Sequence, residues 1–156
     1  MAGDISFPFE QLTKFWFNEV KPPLMKALDA VPDDKLDWAP AEKMITLGNI
    51  FMHIAEASDW WLNEVIAGKG YTDYTPCPSV PKPEIAVMLE GHWKRLEDFF
   101  AAAPGILEAH YDMKKYKRDR EFDGYWLFMH LFEHDIHHRS QINHYLRILG
   151  IKPPRI

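Results

Sequence analysis

The stretch His130-Leu131-Phe132-Glu133-His134-Asp135-Ile136-His137-His138-Arg139-Ser140-Gln141 holds four histidines within nine residues. It lies inside a longer segment, Gly124 to Leu149, where Leu127, Leu131, Ile142, Tyr145 and Leu149 recur at helical steps. Asp123 stands where an N-cap belongs, Gly150 where a helix end turns, and Pro153-Pro154 forbid continuation. The segment is therefore read as one long helix, and helical geometry decides where its imidazoles point. At ~100° per residue, His138 falls in the middle of the apolar face and His134 within ~60° of its centre. His130 lies roughly 100° away, and His137 and His144 roughly 120° or more. His134 and His138 thus look inward, His137 and His144 outward, and His130 sits at the margin.

Outward from this helix, the chain reads as three more helical segments. The first runs from about Phe7 to Ala30, with Phe9, Leu12, Trp16, Val20, Leu24 and Leu28 in its stripe. Pro22-Pro23 predict a kink there, or a split into two helices, because proline removes a hydrogen bond and clashes with the preceding turn. Residues 32–45 read as a connector with Trp38 tucked onto the core. The second helix runs from Leu47 to about Ala67, N-capped by Thr46, with a stripe of Leu47, Ile50, Ile54, Trp61 and Val65. Gly68 and Gly70 end it. The third runs from about Pro83 to Ala102 with Ile85, Leu89, Trp93 and Leu96 inward. Residues 104–123, polar and mixed in charge, read as a solvated loop or a short extended piece. No strand pattern competes and no repeat is present. The expectation is a single domain over 1–156, all-α, built as a four-helix bundle. The 68–83 loop, extended at ~3.3 Å per residue, reaches ~50 Å. A helix of ~20 residues is ~30 Å long. The loop can therefore cross over and leave helices two and three parallel.

Composition limits the function classes. The chain has 156 residues, 47% of them hydrophobic, which excludes disorder as its main state. A net charge of −5 argues against nucleic acid and anionic membrane surfaces as partners. One cysteine, Cys77, allows no internal disulfide and suits a reducing cytosol, so a cytoplasmic location is expected. Cys77 reads as an incidental exposed thiol. The N-terminal residues carry no basic run followed by an apolar stretch, and no 18-residue uncharged apolar run occurs, so neither a signal peptide nor a membrane span is expected.

The chemistry lies in the histidines. Residues four apart on a helix stack, and two imidazoles in an apolar setting repel when protonated. A divalent cation resolves the conflict, since neutral imidazole is a preferred ligand of zinc, nickel and iron. His134 and His138 make a two-ligand half-site, and a third ligand must come from another helix. His53, the one histidine of helix two, is the best candidate; His92 and His110 are weaker. Three histidines leave a fourth position for water or substrate, the composition of a catalytic metal site. A non-catalytic site would instead close with a fourth protein ligand such as His130, Glu56 or Asp135. Plainer readings exist: Glu133, Asp135 and Arg139 as helix-surface charges, and Trp16, Trp61 and Trp93 as core. A zincin would need glutamate where Asp135 stands. A di-iron carboxylate bundle would need Glu-x2-His motifs, and the sequence has none. Gln141 and Tyr145 are candidate pocket-lining groups.

The block His134-Asp135-Ile136-His137-His138-Arg139-Ser140-Gln141-Ile142, with His53 in Gly48-Asn49-Ile50-Phe51-Met52-His53-Ile54-Ala55-Glu56-Ala57, resembles the DinB/YfiT-like metalloenzymes. Leu36-Asp37-Trp38-Ala39-Pro40 and Tyr145-Leu146-Arg147-Ile148-Leu149-Gly150 support the likeness, which covers nearly the whole chain. It implies an up-down-down-up four-helix bundle, often a homodimer. It also implies a divalent metal ion (zinc, nickel, iron or manganese) held by His53, His134 and His138. Its members with assigned activity act as transferases or isomerases dependent on low-molecular-weight thiols. The small-molecule substrate expected here is therefore an S-transfer or isomerisation substrate, with metal-dependent hydrolysis or a non-catalytic metal-binding dimer as alternatives. Ser140 stands where the family commonly has glycine, and His130 is an extra histidine one turn before His134.

Overall fold

A computed structural model describes residues 8–74 and 78–155. Cys77 and Phe7, the first residue of segment one, lie outside the described residues. Helix α1 is a single run made of Phe9–Phe15, a wider π-wound turn Trp16–Val20, and Lys21–Ala30. The prolines neither split it nor end it. Pro22 and Pro23 fall in the first turn of its last portion, where a missing N–H is tolerated. The wide turn just before them, closed by the Lys21 N–H on the Trp16 carbonyl, absorbs the mismatch.

Helix α2 comprises Leu47–Asp59 and a second π-wound portion, Trp60–Ile66. The Thr46 hydroxyl caps it by accepting from the Asn49 N–H at 3.4 Å. Helix α3 spans Lys82–Phe100. The short α4 (Gly105–Glu108) follows, then strands β1 (His110–Asp112) and β2 (Glu121–Asp123), then α5 (Gly124–Ile148).

The hairpin amends the all-helical expectation. β1 and β2 pair antiparallel, with Tyr111 opposite Phe122. Their alternation is too short to register as a strand pattern in a sequence. The short extended piece expected within 104–123 is this hairpin; Phe122 and Met113 anchor it to the core, while residues 117–121 between them are exposed. Asp123 caps α5, its carboxylate accepting from the Trp126 N–H at 2.8 Å. Gly124 must be glycine, because a Cβ there would lie 2.0 Å from the Ile106 carbonyl oxygen.

Among the long helices, α3 packs on α1 and α2, and α5 packs on α1 and α2. Directions follow from residue partners. Gly48 of α2 lies against Ser79, just before α3, while Ala55 and Ser58 accept hydrogen bonds from Arg95; α2 and α3 run the same way. Phe9 meets Phe128 and the Glu19 carbonyl accepts from Arg139, so α1 and α5 also run together. Lys21 pairs with Glu90 at 3.1 Å and Lys82 reaches back to the Asp29 carbonyl, so α1 opposes α3. His53 meets His134 and Trp61 meets Trp126, so α2 opposes α5. The core between them is aromatic: Trp16, Trp93, Phe51 and Phe128 are all at most 1% exposed. No helix of the described residues is long and apolar enough to cross a membrane.

Candidate metal centre

The antiparallel faces of α2 and α5 bring three imidazoles together. One ring nitrogen each of His53, His134 and His138 lies within 4.8 Å of the others. The Nε2 atoms of His53 and His134 face each other at 3.2 Å. The His138 ring centre is 4.4 Å from that of His134 and 5.0 Å from that of His53. Two nitrogens bound to one tetrahedral ion at ~2.0–2.1 Å sit ~3.3–3.4 Å apart, close to the spacing found. Among the described residues, no other group of three His, Cys, Asp or Glu side chains converges in this way.

Neighbouring side chains fix which nitrogen is free. His138 Nδ1 donates to Gln141 Oε1 at 2.9 Å, which leaves its Nε2 lone pair for a ligand. His53 Nδ1 sits 3.4 Å from Glu56 Oε2, with the same consequence. His134 Nδ1 is buried without a hydrogen-bond partner. All three rings are half-buried. Burial, then the nearby His134 ring, holds the His53 imidazole below its ordinary range. The same two causes push His138 down to about 4, against the opposing pull of Gln141. These two rings are therefore uncharged at neutral pH, the state a metal requires. The donor set and its spacing fit a divalent ion.

Beside the rings lies a cleft of about 400 Å³, lined by His53, Glu56, Ala57, Trp60, Trp61, Tyr71, His130 and His134. His130 stacks on Trp126 with ring centres 4.7 Å apart and planes 12° from parallel. It forms a wall and stands outside the three-ring group. Burial, and then the like charges of Asp73 and Asp59, raise the Glu56 carboxyl above its ordinary range. Trp60 and Tyr71 were not legible as site residues. The one signal for Trp60 is that residues 57, 60 and 61 follow His53 on one side of the helix, while Tyr71 comes from the connection after α2.

The wheel placed His138 at the centre of the apolar face; it lies at the edge. Phe128, Phe132 and Leu146 are buried too, and they move the centre of the inward sector to Asp135 and Arg139. Both charged residues, read as surface groups, are buried, at 0% and 7% exposure. Glu133, His137 and His144 are exposed, as their positions on the wheel require. Asp135 Oδ2 accepts from Trp16 Nε1 at 2.8 Å and from His92 Nε2 at 2.9 Å. Burial alone would raise this carboxyl, but the His92 and His134 rings outweigh it and hold it low. Asp135 faces the core, not the cleft, so it cannot serve as a zincin-type base. His92 belongs to this buried pair and not to the three-ring group, and His110 is exposed on β1. Of the two other candidates, Gln141 partners His138, and Tyr145 packs edge-on against Trp38.

A family model described as the DinB family matches residues 10–156. The crystal structure of a DinB-like protein from Bacillus cereus ATCC 10987 superposes with a TM-score of 0.72 at 22% sequence identity. The match covers 94% of this chain and 96% of that one, and at this identity the likeness is one of fold. No curated protein matches the chain.

Proposed function

The chain belongs to the DinB family, and on that premise we propose that it is a metal-dependent enzyme whose divalent ion is held by His53, His134 and His138. The observation that carries the reading is the convergence of three imidazole nitrogens from two helices, two of them, those of His53 and His134, on residues that line a cleft. Three ligands leave a coordination position, and the cleft is where a small substrate would reach it. A divalent ion there would supply Lewis acidity, favouring the ionised, nucleophilic form of a bound thiol or water. The chain's own residues do the rest. Gln141 and Glu56 orient two of the ligand rings, and Trp60, Trp61 and Tyr71 wall the cleft.

The reaction we assign is thiol-dependent S-transfer or isomerisation, with a low-molecular-weight thiol as one substrate. The family resemblance supports this choice. So does the cleft, whose aromatic walls suit a small organic partner. We take residues 1–156 as one domain and the four long helices as an up-down-down-up bundle. The parallel pairs α1 with α5 and α2 with α3 support that topology, as does the long connection after α2. The cytosol remains the location we assign, on the single cysteine.

The test is metal analysis of purified variants, followed by conjugation of a small thiol to a model electrophile with and without metal. His138→Ala should lose bound metal and His137→Ala should keep it; equal loss in both would sink the assignment. Activity on water-labile esters but not on thiols would favour hydrolysis instead.

A further inference from the structure

Among the described residues, Asp135 is the most deeply buried carboxylate, and it has no part in the cleft. Its side chain is 0% exposed. Oδ2 is fixed by two donors from different helices, Trp16 Nε1 of α1 and His92 Nε2 of α3. A carboxylate anchored in this way cannot rotate about its last bond, so Oδ1 has a set direction. Oδ1 lies 3.8 Å from His134 Nδ1. That is too long for a hydrogen bond. Yet both atoms are buried, and neither has any other partner. Buried polar atoms are rarely left without a complement, and these two stand next to one another.

From this geometry we propose that Asp135 is a positioning residue: it holds the His134 proton on Nδ1 and so presents the Nε2 lone pair towards His53. A negative oxygen facing Nδ1 favours the tautomer that carries its N–H there. The opposite tautomer would set the Nδ1 lone pair against the carboxylate; its one gain is an Nε2–H donated across the 3.2 Å gap to His53, which the carboxylate must outweigh. His53 and His138 have Glu56 and Gln141 for this purpose. His134 has Asp135, reached from the core side. Outer partners of this kind typically alter metal affinity ~10–100-fold when removed. Trp16 and His92 act one step further out, by fixing the carboxylate.

The proposal rests on the three-histidine reading for its consequence but not for its first observable. Nitrogen-15 NMR of the metal-free protein reports which ring nitrogen of His134 is protonated. The wild type should show protonated Nδ1 and bare Nε2. Asp135→Asn keeps the shape; with its carbonyl still taken by Trp16 and His92, its NH₂ faces Nδ1 and should move the proton to Nε2. Trp16→Phe, which keeps the carboxylate, should leave the tautomer in place while lowering thermal stability. Zinc affinity, read by competition with a chromophoric chelator, should fall ~10–100-fold in Asp135→Asn. If zinc fails to bind the wild type while the tautomer still switches, the metal assignment falls and the positioning role stands. A wild-type His134 protonated at Nε2, measurable without any variant, overturns the proposal. So does an Asp135→Asn protein with unchanged tautomer.

Discussion

His138 carries the clearest consequence at the scale of a residue. Its imidazole titrates at about 4 in the folded chain, against about 6.5 for an exposed histidine. Between those values the unfolded chain binds the proton and the folded one does not. Stability of the metal-free protein should therefore fall as pH drops from about 6.5 towards about 4, and this contribution should level off below. His53, shifted in the same direction, adds to it. Denaturant midpoints across that range check the sign: the decline should be shallower in His138→Ala, and an identical slope would contradict the burial assigned to this ring. That His134 and His138 stand side by side was legible because a spacing of four on a helix is geometric. The burial of Asp135 and Arg139 was not. A charged letter reads as surface unless its partners are known, and those partners, Trp16, His92 and the Glu19 carbonyl, are supplied by distant parts of the chain.

At the scale of the element, α5 begins at a junction with little tolerance. Asp123 satisfies an N–H of the first turn, and Asp123→Ala should cost about 1 kcal/mol, read by thermal or urea unfolding. Gly124→Ala should cost more than the cap, because the added methyl meets backbone at Ile106 rather than a movable side chain. If Gly124→Ala unfolds at the wild-type midpoint, the close approach of α4 to α5 is wrong. Helix limits were legible where capping residues mark them: Thr46, Asp123 and Gly150 stand within two residues of the observed ends. The hairpin was legible only as a short extended piece and not as a pairing, since three-residue strands offer a single alternation. The π-wound turns were not legible, because they keep the apolar stripe continuous on paper while rotating everything after them.

For the whole molecule, the site ties α2 to α5 across 81 residues of chain. An ion bound to the folded form alone stabilises it by mass action, about 2.7 kcal/mol when free metal is 100-fold above the dissociation constant. A chelator should thus lower the melting temperature of wild type and leave His53→Ala unmoved. A melting curve indifferent to chelator in metal-loaded wild type would count against the centre. Helical class and the four long helices followed from periodicity; the short α4 did not, and helix directions needed the pairings Gly48–Ser79 and Phe9–Phe128, which no local pattern contains.

The wide winding of α2 at Trp60–Ile66 begins directly after the turns that hold His53. An extra residue accommodated in a helix turns everything downstream about the axis and leaves everything upstream where it was. Removing one position there would swing Trp61 and its neighbours to a new bearing while the imidazole kept its place. The histidine-bearing half of α2 and its indole-bearing half can therefore diverge independently, so that relatives with the same three histidines could accept differently shaped guests through a single insertion or deletion.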